Sequence, residues 1–172
     1  MDQIEAILSV LDFMLNSRSK RHIAGDILLS ISLLFGGLAF TTIIIKDEKI
    51  ALIRKARGGY KGKLDLPGGG IEHTETPEET LIRELQEEAD VTVINKELFD
   101  VTSASILWQM NEDTKEDVHH IGILYKVEIK EDKLKDTPDF LDSEGCNWYD
   151  IETLNKEELS PFAKYVIENI NI

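Results

Sequence analysis

The sequence predicts an α/β fold in which a mixed β-sheet is covered by helices on both faces. Segments with strand character lie on both sides of a central amphipathic helix, and a second helix closes the chain. The elements therefore run strands, helix, strands, helix, an order typical of a sheet with helical layers. The length of 172 residues suits one such domain with a small appendage.

Residues 1–36 are predicted to form a helical hairpin ahead of this domain. Apolar residues recur at helical spacing over 2–16, a polar connection covers 16–21, and a second helix covers about 20–35. Three interpretations of this extension stay open. It is a homodimerisation arm, a membrane-attachment element, or a cover for an exposed face of the same monomer.

The uncharged segment 27–45 approaches the length of a membrane span. Against a membrane span, Gly36 and Gly37 interrupt the segment, and its last five residues are all β-branched. We therefore interpret it as a buried helix followed by a buried strand, and we expect no membrane partner. No secretory signal peptide is evident, because the basic cluster at 18–21 follows an apolar helix.

The main domain is predicted to begin near Gly37 and to cover 37–172. Its first strands, 38–46 and 49–56, form a β-hairpin in this prediction, and a basic glycine-rich loop follows at 56–63. The later predicted elements are a helix at 76–89, strands at 91–97, 99–109, 118–129 and 146–151, and a closing helix at 160–170, capped by Ser160.

The charge and cysteine content restrict the function classes. A formal net charge of -14 repels nucleic-acid backbones, so nucleic acid is excluded as an expected partner. A phosphate-bearing substrate would need metal ions or clustered Lys and Arg. The one cysteine, Cys146, allows no intramolecular disulfide, which fits a reducing cytoplasm, and we predict a packing role for it.

The helix at 76–89 has clear start signals. Thr76 is the predicted N-cap, Pro77 suits the first helical position, and Glu79 completes a capping box. At about 100° per residue, its apolar residues share one face. The same construction places Glu84, Glu87 and Glu88 on a neighbouring arc that borders this buried face.

Three acids on one helical turn are unfavourable unless cations are near. Arg83 can compensate Glu87 through an i,i+4 contact. Hard divalent cations such as Mg²⁺ or Mn²⁺ would compensate the rest. The alternative is a solvated, salt-bridged helix face. The preceding stretch 66–70, with three glycines, favours the metal site, since its backbone can approach a ligand and its carbonyls can add ligands.

These two elements together resemble the signature of the Nudix hydrolases. The fixed residues of that signature match at Gly69, Glu75, Arg83, Glu84, Glu87 and Glu88. The resemblance extends over 38–172 and leaves 1–36 outside. Three positions depart from the usual pattern. Asp90 and Thr74 stand where glycine is common, and Leu64 stands where an aromatic residue is common.

The resemblance implies a Nudix-type α/β/α sandwich. It also implies an enzyme that cleaves a nucleoside diphosphate linked to another group, with water activated by Mg²⁺ (or Mn²⁺) attacking phosphorus. Glu84, Glu87 and Glu88 would hold the metal together with the Gly69 carbonyl. Arg83 would orient the glutamates, and Glu75 would support the junction of loop and helix.

The general base is left open by the sequence. It comes from the signature itself, with Glu87 as the catalytic residue, or from a later loop. In that loop the family pattern favours Glu144 over Asp142. Weaker candidates are Glu112 and Glu116, in the other loop, between the strands predicted at 99–109 and 118–129.

The predicted partner is a nucleotide-type small molecule. The residues predicted to contact it are Lys55, Arg57, Lys63, Gly68 and Gly70. His119 and His120 are adjacent on a strand, so we expect one to be packed and one exposed. The alternative function is a non-catalytic nucleotide-binding regulatory module on the same fold.

Overall fold

The computed structural model describes residues 38–109 and 115–170, so the predicted hairpin at 1–36 lies outside the described residues. The strands are β1 (Leu38–Ile43), β2 (Ile45–Lys46), β3 (Lys49–Lys55), β4 (Leu64–Asp65), β5 (Gly68–Gly70), β6 (Val93–Gln109), β7 (Lys115–Ile129) and β8 (Ser143–Asp150). The helices are α1 (Pro77–Ala89), a short 3₁₀ helix (Lys156–Glu158) and α2 (Pro161–Asn169).

The strands form two sheets. The first sheet has the order β5-β1-β7-β6 and is mixed, because β1 and β7 are parallel while the other pairs are antiparallel. In the second sheet β2, β4 and β8 all pair with β3 in antiparallel fashion. The predicted fold, a mixed sheet with helices, is confirmed.

The two helices pack against opposite faces of β3. Ala51 and Ile53 belong to the core cluster that contains Leu81 and Leu85 of α1. Their strand neighbours Ile50 and Leu52 belong to the cluster that contains Phe162, Ala163 and Val166 of α2. The period-two alternation of a strand therefore distributes the apolar residues between the two helices.

The predicted hairpin at 38–56 is much shorter than expected. Asp47 and Glu48 form its turn with positive φ angles of 49° and 63°, as a two-residue hairpin turn requires. Only β2 pairs with β3, however, because the chain leaves the first sheet after Ile43. The strands predicted at 91–97 and 99–109 form one strand, β6, whose register shifts between Leu98 and Asp100.

The ends of α1 follow the predicted signals. Thr76 Oγ1 accepts from the Glu79 N–H at 3.3 Å, and the Glu79 carboxylate accepts from the Thr76 N–H at 2.8 Å, which completes the capping box. Asp90 takes the left-handed conformation (φ 55°, ψ 49°) in which the resemblance expects glycine. Thr74 also has a positive φ, 80°.

Other predictions concern packing residues. Cys146 is fully buried in the α1 cluster, as expected for a packing residue. Ser160 caps α2 by accepting from the Ala163 N–H at 3.1 Å. Within residues 38–109 and 115–170, no helix is both long enough and apolar enough to span a membrane.

Candidate functional site

The acidic edge of α1 lies against the glycine strand β5. The Gly68 N–H donates to Glu88 Oε2 at 2.7 Å, and Glu88 is only 2% exposed. Gly68 has φ +143°, and a Cβ atom there would lie 2.1 Å from the Phe40 carbonyl oxygen. Glycine is therefore needed at this position so that the strand can donate to the buried carboxylate.

The second glycine of β5 makes room for another acid. A Cβ atom at Gly69 would lie 2.2 Å from Glu84 Oε1. The Glu84 carboxylate thus lies directly beside the Gly69 backbone. The structure brings Glu84, Glu88 and Gly69 together, as the spacing of the two sequence elements indicates.

Arg83 connects the loop before α1 to the acids on the helix. Its guanidinium binds Glu75 in bidentate fashion, with Nε to Oε1 at 2.6 Å and Nη2 to Oε2 at 3.0 Å. It also contacts Glu84 at 2.8 Å, Glu87 at 3.4 Å and the Gly70 carbonyl oxygen at 3.1 Å. One cation therefore fixes the positions of three carboxylates and one glycine.

Glu75 has further partners that fit a role at the loop–helix junction. Its carboxylate also accepts from Thr80 Oγ1 at 2.9 Å and from the Glu72 N–H at 3.0 Å. The hydrogen bonds from Arg83, together with these contacts, lower the pKa of Glu75 to about 2. Glu75 is therefore a permanently ionised anchor for Arg83 near neutral pH.

Burial has the opposite effect on the two acids that contact β5. Desolvation raises the pKa of Glu84, although the Arg83 guanidinium opposes the shift. Desolvation also raises the pKa of Glu88 well above its ordinary value, against the attraction of Lys55 and the Gly68 N–H. The site therefore holds carboxylates whose ionised forms are only partly compensated by the protein.

Lys55 is the second cation of the site. Its side chain is 13% exposed and forms an ion pair with Asp142, which also accepts from Arg57 Nε at 3.2 Å. Burial alone would lower the pKa of Lys55, but the charges of Glu88, Asp65 and Asp142 outweigh it and raise the pKa. Lys55, which attracts Glu84 and Glu88 of α1, thus shares Asp142 with Arg57, and we call these two cations the positive wall.

The other predicted contact residues are placed less favourably for a ligand. Lys63 Nζ donates to the carbonyl oxygen of Glu157, in the 3₁₀ helix, at 2.5 Å. The Gly68 N–H and the Gly70 carbonyl oxygen are already bound by Glu88 and Arg83. These two glycines therefore position α1 side chains in the structure.

The candidates for the general base differ in their surroundings. The side chain of Glu87 is 49% exposed, against 13% for Glu84, so water reaches it most readily. Glu144 is exposed at the start of β8, and its side chain makes no hydrogen bond or ion pair within the described part of the chain. Glu112 lies outside the described residues, as does the side chain of Glu116.

The chemistry of these donors fits Mg²⁺ or Mn²⁺. Carboxylate oxygens and a glycine carbonyl are hard ligands, and the incompletely compensated carboxylates of Glu84 and Glu88 would gain from a cation. Among residues 38–109 and 115–170, however, no three Asp, Glu, His or Cys side chains converge as a formed metal cage. Glu84 and Glu87 both contact Arg83 instead.

Sequence reasoning missed a buried polar group beneath Lys55. Asp65 is almost fully buried and accepts from the Leu66 N–H and from Ser160 Oγ. The sequence signal for this group is Asp65 itself, an acid between the apolar residues Leu64 and Leu66 just before the glycines. The two histidines were interpreted correctly, since His119 is exposed and His120 is partly buried, with Nδ1 2.9 Å from the Tyr60 hydroxyl.

Comparisons with known proteins bear on this arrangement. The chain is similar in sequence to several curated relatives. The ADP-ribose pyrophosphatase of Methanocaldococcus jannaschii is 33% identical over 119 residues, 69% of this chain and 64% of the relative. The 8-oxo-dGTP diphosphatase of Escherichia coli is 43% identical over 60 residues, 33% of this chain and 46% of the relative. The chain thus spans less than two thirds of the length of either relative.

Solved structures share the fold at low sequence identity. The MutT NUDIX hydrolase of Burkholderia pseudomallei superposes with a TM-score of 0.63 at 21% identity, covering 78% of this chain and 98% of the other. The NUDIX domain of Shewanella oneidensis NrtR, solved with ADP ribose, superposes with a TM-score of 0.60 at 17% identity. The match covers 77% of this chain and 84% of the other. The family model of the NUDIX domain matches residues 37–170. This chain therefore belongs to the Nudix family.

Proposed function

We propose that this chain is a Mg²⁺-dependent hydrolase that cleaves the pyrophosphate linkage of a nucleoside diphosphate derivative or a nucleoside triphosphate. The observation that carries the proposal is the contact between α1 and β5. There a buried Glu88 accepts from Gly68, and Glu84 lies beside Gly69. The relative with the longer alignment is named an ADP-ribose pyrophosphatase, so ADP-ribose is the first substrate to test.

Glu84, Glu87, Glu88 and the Gly69 carbonyl are the residues that would hold the metal. Bound Mg²⁺ supplies neutralisation of the bridging phosphates and a more acidic water. Glu88 needs little rearrangement for this role, because the Gly68 N–H already fixes its carboxylate. Arg83 is a positioning residue, since it orients Glu84 and Glu87 through one guanidinium.

The reaction needs a group that accepts the proton of the attacking water. Water oxygen forms a bond to phosphorus, and the bond from phosphorus to the bridging oxygen breaks. The leaving phosphate departs as nucleoside monophosphate or as the phosphorylated second group. We assign the proton acceptor to Glu87, because it is the most exposed of the three acids. Glu144 is the second candidate.

The phosphates of the substrate are assigned to the positive wall of Lys55 and Arg57. Both cations are bound to Asp142 in the structure. A diphosphate offers more negative oxygens than one carboxylate and would compete for these two partners. Lys63 is a weaker candidate, since its ammonium group already donates to the Glu157 carbonyl oxygen.

A substrate panel tests the proposal. Purified protein is incubated with ADP-ribose, nucleoside triphosphates, nucleotide sugars and dinucleotides, with Mg²⁺ or Mn²⁺. We expect Glu87→Gln to lower the rate by about 10²- to 10⁴-fold. The control Glu78→Gln changes an exposed acid of the same helix, and its rate should match the wild type.

Two results would contradict the proposal. The first is that no member of the panel releases monophosphate, phosphate or pyrophosphate with either metal. The second is that wild type and Glu87→Gln show equal, negligible turnover while nucleotide still binds. This second result would favour the non-catalytic regulatory module.

The domain boundary near Gly37, a cytoplasmic location and homodimerisation through residues 1–36 stay predictions. If residues 1–36 are a dimerisation arm, the hydrodynamic mass should fall to that of a monomer when they are removed. If they attach the protein to a membrane, the full-length protein should instead partition with lipid vesicles.

A further inference from the structure

The loop before β8 displays two large apolar side chains to solvent. Phe140 is 93% exposed and Leu141 is 64% exposed. Phe140 also has φ +64°, a left-handed conformation that is unfavourable for an aromatic residue. Packing within the described part of the domain gives no reason for an aromatic side chain in this place.

The exposed pair is held by a defined turn. Asp139 Oδ1 accepts from the N–H groups of Leu141 at 2.7 Å, Asp142 at 2.9 Å and Ser143 at 3.0 Å. The Asp139 N–H donates to the Ser143 carbonyl oxygen at 3.1 Å. The turn therefore fixes the backbone that carries Phe140, so the loop would lose little conformational entropy when a ligand binds there.

The same turn contacts the candidate site. Asp142, two residues after Phe140, binds the Lys55 and Arg57 side chains that form the positive wall. Two residues span at most about 7 Å of backbone. A group attached to phosphates that replace Asp142 at this wall would therefore have the Phe140 ring within its reach.

We propose that Phe140, with Leu141 beside it, is a stacking platform for the nucleobase of the substrate. The proposal rests on the proposed function and adds to it a residue that recognises the base. A flat aromatic base can cover an exposed ring, and such stacking tolerates different bases because each has a π-face. The contact selects nucleotides over phosphorylated sugars that lack a base.

Binding measurements test the proposal without turnover. The Glu87→Gln protein is titrated with the four nucleoside 5′-monophosphates and with ribose 5-phosphate, which lacks only the base, in the presence of Mg²⁺. Phe140→Ser should weaken binding of at least one monophosphate by about fivefold or more. Its affinity for ribose 5-phosphate should stay unchanged. Phe140→Tyr should restore the affinity for the monophosphate.

Two further variants sharpen the result. Phe140→Trp should bind as the wild type does, and its added fluorescence should be quenched by the monophosphate and not by ribose 5-phosphate. Leu107→Ser is the matched control, because Leu107 is 68% exposed on β6, and it should leave both affinities unchanged.

Several outcomes would overturn the proposal. They are wild-type affinity of Phe140→Ser for every monophosphate, equal loss for nucleotides and ribose 5-phosphate, and no binding of any monophosphate to the parent protein. A fourth is a change in oligomeric mass with nucleotide binding intact, which would assign the pair to a protein contact. Base-dependent binding without hydrolysis by wild type would instead contradict the proposed function and leave the platform standing.

Discussion

The two helices α1 and α2 begin with the same kind of cap but bury different kinds of side chain. Each has a hydroxyl N-cap followed by proline, Thr76-Pro77 in one and Ser160-Pro161 in the other. α2 buries only Phe162, Ala163 and Val166, whereas α1 buries the carboxylate of Glu88 beside its apolar residues. The local start signals therefore specify a helix, while the buried face decides whether it supports stability or chemistry.

Both helices also depend on a glycine in the first sheet. A Cβ atom at Gly122 would lie 2.8 Å from the Phe162 ring of α2. On the other helix, Gly68 of β5 provides the N–H that Glu88 accepts. The missing side chain allows ring packing in the first case and a hydrogen bond to a charge in the second. A glycine in the first sheet thus supports core packing at α2 and a hydrogen bond in the candidate site at α1.

The largest expected effect comes from breaking the packing of α2. Phe162→Ala removes a fully buried ring that contacts the core cluster and lies edge-on to Tyr60. We expect the free energy of unfolding to fall by about 3–5 kcal/mol. Urea denaturation of the metal-free protein measures this loss.

The same variant should leave the chemistry of α1 intact. Hydrolysis per folded molecule and the stabilisation by added Mg²⁺ should match the wild type at a temperature where the variant is folded. A selective loss of turnover in fully folded Phe162→Ala would show that α2 contributes to the site, and the contrast between the helices would then fail.

The features of α1 that follow from local sequence were predictable. The capping box depends on Thr76 and Glu79, three residues apart, and the acid arc depends on the helical period alone. The capping box and the acid arc each involve residues within a few positions of each other, so no knowledge of the tertiary fold is needed. The left-handed conformation of Asp90 follows instead from the resemblance, since the family usually has glycine at that place.

The features that depend on distant partners were not predictable. The sequence predicts one hairpin at 38–56, but β1 pairs with β5 and β7 of the first sheet, and only the short β2 pairs with β3. Likewise, the family pattern ranks Glu144 above Asp142, whereas Asp142 is the acid that binds Lys55. That ion pair joins residues 87 positions apart, and no periodicity indicates it.

Removing either N-cap should lower the free energy of unfolding by less than Phe162→Ala does. Thr76→Ala removes one exposed cap and should lower the free energy of unfolding by about 1 kcal/mol. Ser160→Ala removes a cap and also the hydroxyl that donates to buried Asp65, so we expect a loss of about 2–3 kcal/mol. Urea denaturation of both variants measures the difference. Equal losses would show that the bond from Ser160 to Asp65 contributes nothing net.

An effect as small as that of Thr76→Ala, but opposite in sign, is expected when α1 loses its buried charge. Burial raises the pKa of Glu88 well above its usual 4.5. The stability that its protonated form contributes is complete below the unfolded-state pKa and is lost as pH rises through the folded-state pKa. Glu88→Gln keeps an oxygen for the Gly68 N–H without the charge. We therefore expect the metal-free variant to be about 1 kcal/mol more stable than wild type at about pH 8.

This gain should shrink as the pH is lowered to about 5, because the raised pKa of Glu88 favours its protonation as the pH falls, and the protonated acid resembles glutamine. Thermal unfolding in a chelator at the two pH values measures the gap, with Glu78→Gln as the exposed control on the same helix. Added Mg²⁺ should reverse the order, since only the carboxylate gains from a cation. A variant less stable than wild type at both pH values would mean that Lys55 and Gly68 more than offset the cost of burying the charge. In that case α1, like α2, would hold its buried residues for stability.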